Sequence, residues 1–254
     1  MKISLITVCR NAVNTIEETL LSVQNQNYPQ VEHIVIDGAS SDGTVNIIQQ
    51  HKSSITTYIS EPDRGIYDAM NKGIAMASGE IIGTLNADDI YADETVLSQV
   101  ATIFANPEID ACYADLIYVD PNHPEKIIRY WRSRDYRSGL FEKGWMPAHP
   151  TFFVRRKIYE KFGNFDLSFP RQADFELTMR FLAVHEIRSH YEPNVWVRMQ
   201  TGGISNRNII GILKGNIEAY QACKKNGLKV NLLFIPRKMI SRIPQFLSRP
   251  HRGE

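Results

Sequence analysis

No stretch of this 254-residue sequence approaches the ~20 consecutive apolar residues that a membrane-spanning helix needs. The amino terminus, MKISLITVCRN, is too short in apolar length for a signal peptide and has no small-residue cleavage site. A cytoplasmic protein without a transmembrane segment is therefore expected. Cysteine is scarce: Cys9, Cys112 and Cys223 form no CxxC pair and no metal-ligand spacing, which excludes a disulfide framework and a zinc cluster and predicts reduced thiols, Cys9 and Cys112 as core fillers. There is no excess of either charge, since the net charge is +1 with 22% charged residues, so nothing draws the whole chain to nucleic acid, and no nucleic-acid partner is expected. Two phosphate-binding fingerprints are also missing, GxxxxGK[ST] and GxGxxG. What is present is a 43% hydrophobic fraction, enough for one large core.

The first half alternates short β-branched runs with helical patterns, the signature of a parallel sheet with crossover helices. ISLITV, VEHIVID, ITTYIS and EIIGTL read as four strands. TIEETLLSVQNQ, TVNIIQQHK and YDAMNKGIAMAS read as the intervening helices, the first capped by Asn14 and the third closed by Gly79 in the left-handed conformation. After a further helix ending at Pro107, DACYADLIYVD and KIIRYW, separated by PNHPE, predict a β-hairpin with a longer loop. Residues 132 to 150 are aromatic, basic and punctuated by Gly and Pro, a loop or lid. TFFVRRKIYEKFG then gives a strand and a helix, and ADFELTMRFLAV an amphipathic helix with Phe175, Met179 and Leu182 on one side.

In an open α/β sheet, ligands bind beyond the carboxyl ends of the strands. Four polar clusters fall there: TVCRN, DGASSDGT, SEPDRG and NADD. Together they line one crevice with Thr7, Asn11, Asp37, Ser40, Asp42, Asp63, Arg64, Asp88 and Asp89. Taken singly, each cluster also fits helix capping and turn chemistry, Asp42 above all. Adjacent carboxylates at the end of a buried strand repel unless a positive group lies between them. Asp and Asn oxygens are hard ligands suited to Mg²⁺ or Mn²⁺, which complete their shells with phosphate oxygens and water. A phosphate-bearing ligand bridged by metal follows.

The ordered set ITVCRN, VIDGASSDGT, EPDRGIYDAMNKGIAMASGEIIGTLNADD, HPTFFVRRKIYEKFGNFD and ADFELTMR resembles the family 2 glycosyltransferases over roughly residues 3 to 205. The resemblance implies an α/β GT-A fold: a Rossmann-like, mostly parallel central sheet with flanking helices and a smaller acceptor-side β/α region. It divides the chain into one domain, 1–228, with a nucleotide-sugar half at 1–106 and an acceptor half at 107–228, followed by a tail at 229–254. It implies inverting transfer of a sugar from a nucleotide-diphosphate sugar, UDP-linked first and GDP-linked second, to a saccharide or lipid-linked acceptor in bacterial surface polysaccharide synthesis.

Carried over residue by residue, the resemblance places Thr7, Asn11 and Asp37 around the nucleoside, and Arg64, Asp68 and Lys72 near the base, ribose or phosphates. Asp68 and Lys72 also stand at i,i+4, where an exposed salt bridge would serve structure alone. The family's Asp-x-Asp motif becomes Asn86-Ala87-Asp88 here. Asp88 is then the direct Mn²⁺ or Mg²⁺ ligand, Asn86 offers an oxygen to a ribose hydroxyl or a metal-bound water, and Asp89 holds a donor hydroxyl or orients Asp88. Asp174 takes the role of catalytic base, with an N-cap as its structural alternative and Glu176 as the second candidate. His149, Trp145 and the TGGIS turn at 201 to 205 are expected at the acceptor or sugar.

From Lys229 the chain mixes Leu, Phe and Ile with Lys and Arg, a pattern that suits a short amphipathic segment on the anionic inner face of the cytoplasmic membrane. Packing back onto the domain is the alternative. Two other classes compete with the transferase. A sugar nucleotidyltransferase would carry a Gly-rich amino-terminal loop, which VCRNAVN lacks, and a non-catalytic nucleotide-sugar or glycan-binding module would read Asn86 as lost metal chemistry.

Overall fold

The computed structural model of the chain describes residues 1–200 and 209–250. Strand β1 (Ile3–Cys9) is buried along its whole length and pairs in parallel with β2 (Val31–Asp37) and β4 (Ile81–Asn86), while β2 pairs in parallel with β3 (Thr57–Ser60). These strands read as near-continuous apolar runs because both faces of the sheet are covered. On one face, Ile6 and Ile34 pack against Ala69 and Met70 of α3 (Ile66–Met76). On the other, Val35 packs against Ile16 and Leu20 of α1 (Ile16–Gln24) and Ile48 of α2 (Thr44–Gln50).

The second half extends the same sheet. Strand β5 (Asp89–Tyr91) and α4 (Val96–Phe104) are followed by the hairpin of β6 (Ala111–Asp120) and β7 (His123–Trp131). Then come β8 (Phe153–Arg155), α5 (Arg156–Phe162), α6 (Ala173–Met179), β9 (Ser189–Gln200), α7 (Ile209–Lys225), α8 (Phe234–Ile240) and α9 (Pro244–Leu247). Strand order is β3-β2-β1-β4-β8-β6-β9-β5, with β7 on β6. Strand β8 joins the halves by pairing antiparallel with both β4 and β6, and β6 pairs in parallel with β9. The Phe153 ring lies against Gly83, where a Cβ would meet a ring carbon at 2.3 Å. A glycine in mid-strand is here the condition for docking that ring.

Four local expectations change. The hairpin turn is tighter than PNHPE, because Asp120 pairs directly with His123 after two register shifts whose extra residues lie on β7. Helix α1 begins after Thr15, not Asn14, and no side chain caps it. Helix α3 ends at Ala77 in extended geometry, and Gly79 is not left-handed. Gly79 instead lets two backbones approach: its N–H donates to Ser4 Oγ at 2.8 Å, and a Cβ there would lie 2.7 Å from Ser4 N. Residues 132–150 form a packed loop, with Phe141, Met146 and Ala148 buried and short 3₁₀ turns at Phe141–Lys143 and His149–Thr151.

The tail packs back on the domain. Phe234 is buried against Phe175 and Tyr220, and Arg129 of β7 reaches α9 through Gln245 Oε1 at 2.7 Å and the Phe246 ring at 5.6 Å. Burying a phenylalanine of this kind is worth about 1.5–3 kcal/mol.

Candidate active site

The carboxyl ends of β1, β2 and β3 meet at Asp37. Its buried carboxylate accepts from Ser40 N at 3.0 Å, from the Ser40 hydroxyl, and from Ser60 Oγ at 2.6 Å, with Cys9 Sγ at 3.4 Å. The oxygens expected to meet a base or ribose therefore organise the three loops. Burial, followed by the nearby Asp37, Asp42 and Asp63 carboxylates, pushes the Cys9 thiol far up and keeps it protonated. Asn11 is exposed in the left-handed region at φ 52° and clasps the second loop: its N–H donates to Ser40 Oγ at 2.7 Å, and its Oδ1 accepts from Ser41 N at 3.0 Å. Gly38 is needed because Asp63 Oδ2 lies 2.3 Å from where its Cβ would stand. Asp42 does act as a local cap, accepting from Thr44 N at 3.0 Å and Val13 N at 3.1 Å. Thr7 does not line the crevice surface: it is fully buried and its hydroxyl pairs with His33 Nε2 at 2.9 Å inside the sheet.

Arg64, Asp68 and Lys72 divide differently from the i,i+4 pair expected of the last two. Asp68 is paired with Arg64, whose Nη2 donates at 2.9 Å and whose backbone N–H donates at 3.0 Å. These bonds hold the Asp68 carboxyl below its usual range. Lys72 pairs with Glu61 at 2.7 Å and donates to Pro62 O at 2.9 Å. The Arg64 side chain is 79% exposed at the rim, so its other nitrogens remain open to a ligand.

Strand β4 delivers Asn86, and the turn into β5 delivers Asp88 and Asp89. Asp89 is fully buried and accepts from Asn86 Nδ2 at 3.1 Å. Burial and then the neighbouring Asp88 push the Asp89 carboxyl well up; burial also raises Asp88, which remains half-buried and reachable. Asn86 is thus the amide that lets a second carboxylate be buried at this strand end, where an aspartate would add repulsion. Asn86 Oδ1 and Asp89 Oδ1 are buried without partners, two orphan acceptors beside Asp88. No group of three acidic, His or Cys residues that could hold a metal alone occurs among the described residues. The orphan oxygens beside Asp88 fit a hard cation that takes few protein oxygens and fills its shell from phosphate.

Asp174 stands in the first turn of α6, whose cap position is Gln172. Its Oδ1 accepts from the Tyr67 hydroxyl at 3.0 Å and from Phe175 N at 2.8 Å. Its Oδ2 makes no hydrogen bond among the described residues. Glu176, the second candidate, is 2% exposed and bonded to Arg180 at 2.9 Å and Asn226 at 3.1 Å. His149 is buried edge-to-face on Phe165, and burial lowers its pKa so that it stands neutral near Asp174. Trp145 stacks on Tyr136, with its indole N–H buried and unpartnered. The 201–205 turn lies outside the described residues.

Two residues of DRGIYDAMNKG that sequence reasoning left unassigned complete the site. Tyr67 is the partner of Asp174, and Asn71, one turn further along α3, exchanges two hydrogen bonds with the Phe165 backbone at 2.9 and 3.0 Å. Helix α3 thereby ties the donor side of the sheet to the loop before α6.

Comparison with known proteins places the fold and the family. The mannosyltransferase PcManGT from Pyrobaculum calidifontis, solved with GDP-Man and Mn2+, superimposes with a TM-score of 0.67 at 20% identity over 95% of this chain and 69% of that one. S. aureus TarS 1-349 with UDP gives a TM-score of 0.61 at 17% identity, covering 86% of this chain and 65% of that one. Both show the GT-A fold. An uncharacterized glycosyltransferase of Mycobacterium tuberculosis is 31% identical over 191 residues, 72% of this chain and 70% of that protein. A PGL/p-HBAD biosynthesis glycosyltransferase of Mycobacterium bovis is 25% identical over 245 residues, 94% of this chain and 92% of that protein. The model of the family described as "Glycosyl transferase family 2" matches residues 4–163, which contain the strand-end loops and the Asn86–Asp89 turn, and the chain belongs to that family.

Proposed function

We propose that the chain transfers a sugar from a nucleoside-diphosphate donor, held by the loops of residues 1–106, to a saccharide or lipid-linked hydroxyl bound by residues 107–228, with inversion. The observation that carries this reading is the asymmetry of Asp174, one oxygen fixed by two donors and the other without a hydrogen-bond partner among the described residues. A carboxylate so oriented can take a proton without turning away. The acceptor oxygen attacks the anomeric carbon, its proton passes to Asp174 Oδ2, and the bond from that carbon to the diphosphate oxygen breaks. Asp88 would hold Mn²⁺ or Mg²⁺, which when bound neutralises charge on the departing diphosphate. Asp89 and Asn86 fix the turn that presents Asp88, and their orphan oxygens are placed for a donor hydroxyl or an ordered water. Arg64 at the rim adds a positive group for the base side or the phosphates, and Trp145 supplies an unpartnered N–H to a sugar.

Peripheral contact with an anionic membrane is part of the same reading. No helix of the described residues is long and apolar enough to span a bilayer. Yet Ile240, Ile243 and Leu247 are 55–80% exposed on the docked tail, and no Asp or Glu stands between Glu218 and Glu254. Packing and membrane contact are therefore compatible on opposite sides of the segment. Surface polysaccharide synthesis supplies an acceptor that such contact would bring near. A thermal-shift panel of UDP, GDP and their sugars, with and without Mn²⁺, tests the reading. Stabilisation only when one nucleotide and the cation are both present is expected; equal stabilisation without the cation would reject the role given to Asp88.

A further inference from the structure

Lys238 is 1% exposed, although it belongs to the tail and lies outside the 4–163 match. Its Nζ donates to Gln172 Oε1 at 2.8 Å and sits 3.9 Å from the centroid of the Phe175 ring. Its Cα and Cβ press on Gly144, where any Cβ would come within 2.5 Å of them. Among the described residues no carboxylate lies within ion-pair distance of it. A buried ammonium without an acid partner is costly, and packing alone would be better served by an apolar chain of similar length.

The two groups that Lys238 touches bracket Asp174. Gln172 is the cap residue of α6 and Phe175 directly follows Asp174, so the amine spans the turn that carries the carboxylate. A cation at a helix amino terminus opposes the helix dipole; of the two acidic residues in this first turn, Glu176 is paired with Arg180, which leaves Asp174 as the negative group that favours it. The other charged or titratable neighbours are Arg242 on the tail and Cys223 on α7, with Glu142 near Cys223 and Lys143 directly before the Gly144 that Lys238 presses on.

We propose that Lys238 is a positioning residue for the base: it clamps the first turn of α6 from below and supplies the positive charge that compensates the Asp174 carboxylate without pairing with it. This inference rests on the assignment of Asp174 as base. It makes the tail segment a working part of the active site, so that seating the tail and orienting the base are one event.

The test uses the full chain with Lys238→Met and Gln172→Ala, measuring melting temperature, nucleoside-diphosphate affinity and the pH profile of transfer. Lys238→Met is expected to melt no lower than the parent, bind nucleotide within about twofold, and lose about tenfold or more in kcat. Burial moves the Lys238 ammonium down to about 7, so the charged form is present below that pH and lost above it. The parent rate is expected to fall as pH rises through that range, and the Met variant to lack this limb. If Lys238→Met fails to fold, Gln172→Ala, at a half-exposed position, carries the test through its own loss of kcat at unchanged nucleotide affinity. Parental kcat and profile in Lys238→Met, or parental kcat in Gln172→Ala when the Met variant does not fold, would overturn the inference. Asp174→Asn separates the two readings: if it retains transfer, the base assignment itself has failed, whereas a dead Asp174→Asn beside a fully active Lys238→Met rejects only the clamp.

Discussion

The Tyr67 hydroxyl donates to Asp174 Oδ1 across 107 positions of sequence, joining the helix after β3 to the helix that carries the proposed base. Tyr67 also stacks on Phe165 at 5.4 Å, so a Tyr67→Phe substitution keeps the packing and removes only the donor. Transfer is expected to fall about tenfold, in line with the loss of one hydrogen bond to a charged group of about 1.5–3 kcal/mol. Nucleotide affinity should stay within twofold by calorimetric titration.

Asn86→Ala leaves buried Asp89 without its amide donor. The expected cost is about 1–3 kcal/mol in denaturant unfolding. Asn86→Asp should destabilise the metal-free protein by a similar amount and recover stability on adding Mn²⁺, because a cation relieves the third carboxylate's repulsion. A metal-independent melting temperature in Asn86→Asp would contradict the arrangement drawn for this turn.

Glu32 offers a pH prediction remote from the site. Its carboxylate is 8% exposed and receives Ser78 N at 2.8 Å together with the Ser4 and Ser78 hydroxyls. Burial raises its pKa, but these hydrogen bonds outweigh burial and bring it to about 2. A folded value below the unfolded one stabilises above the unfolded pKa of about 4.3 and loses that stability as pH falls toward 2. Glu32→Gln is therefore expected to cost stability at pH 7, by up to about 3 kcal/mol, and little near pH 2, measured by urea unfolding at both values.

Much of the fold was legible because its first half obeys simple rules. Short β-branched runs alternating with amphipathic helices gave the four parallel strands, and the strand ends gave the crevice. Thr7 shows where that reading stops: β1 is buried on both faces, so no polar–apolar alternation tells which side chain reaches a ligand. Gly79 was misread because a glycine after a helix suits a cap as well as a close approach, and only the position of Ser4 decides. The Asn86–Asp89 bond spans three residues and was within reach of sequence reasoning, since a lone amide beside two carboxylates is a natural donor. Tyr67 and Lys238 were not, because their partners come from distant segments brought together by β8 and by the docked tail.

Replacing Ile240, Ile243 and Leu247 by Ser removes exposed apolar area from the tail while leaving Phe234, Lys238 and the Arg129–Phe246 contact in place. Cosedimentation with vesicles containing anionic lipid is expected to drop to the level of neutral vesicles, with transfer to a soluble acceptor unchanged. Equal sedimentation before and after the substitution would remove the tail from membrane binding.

The account turns on Asp174. The most direct measurement is the transfer rate of Asp174→Asn, a substitution that keeps the shape and the bond from Tyr67 while removing the basic carboxylate. A fall of about 10²–10⁴-fold is predicted, with nucleotide affinity in the presence of Mn²⁺ unchanged. Retention of the parental rate would contradict the assignment of Asp174 as the base and, with it, the proposed mechanism.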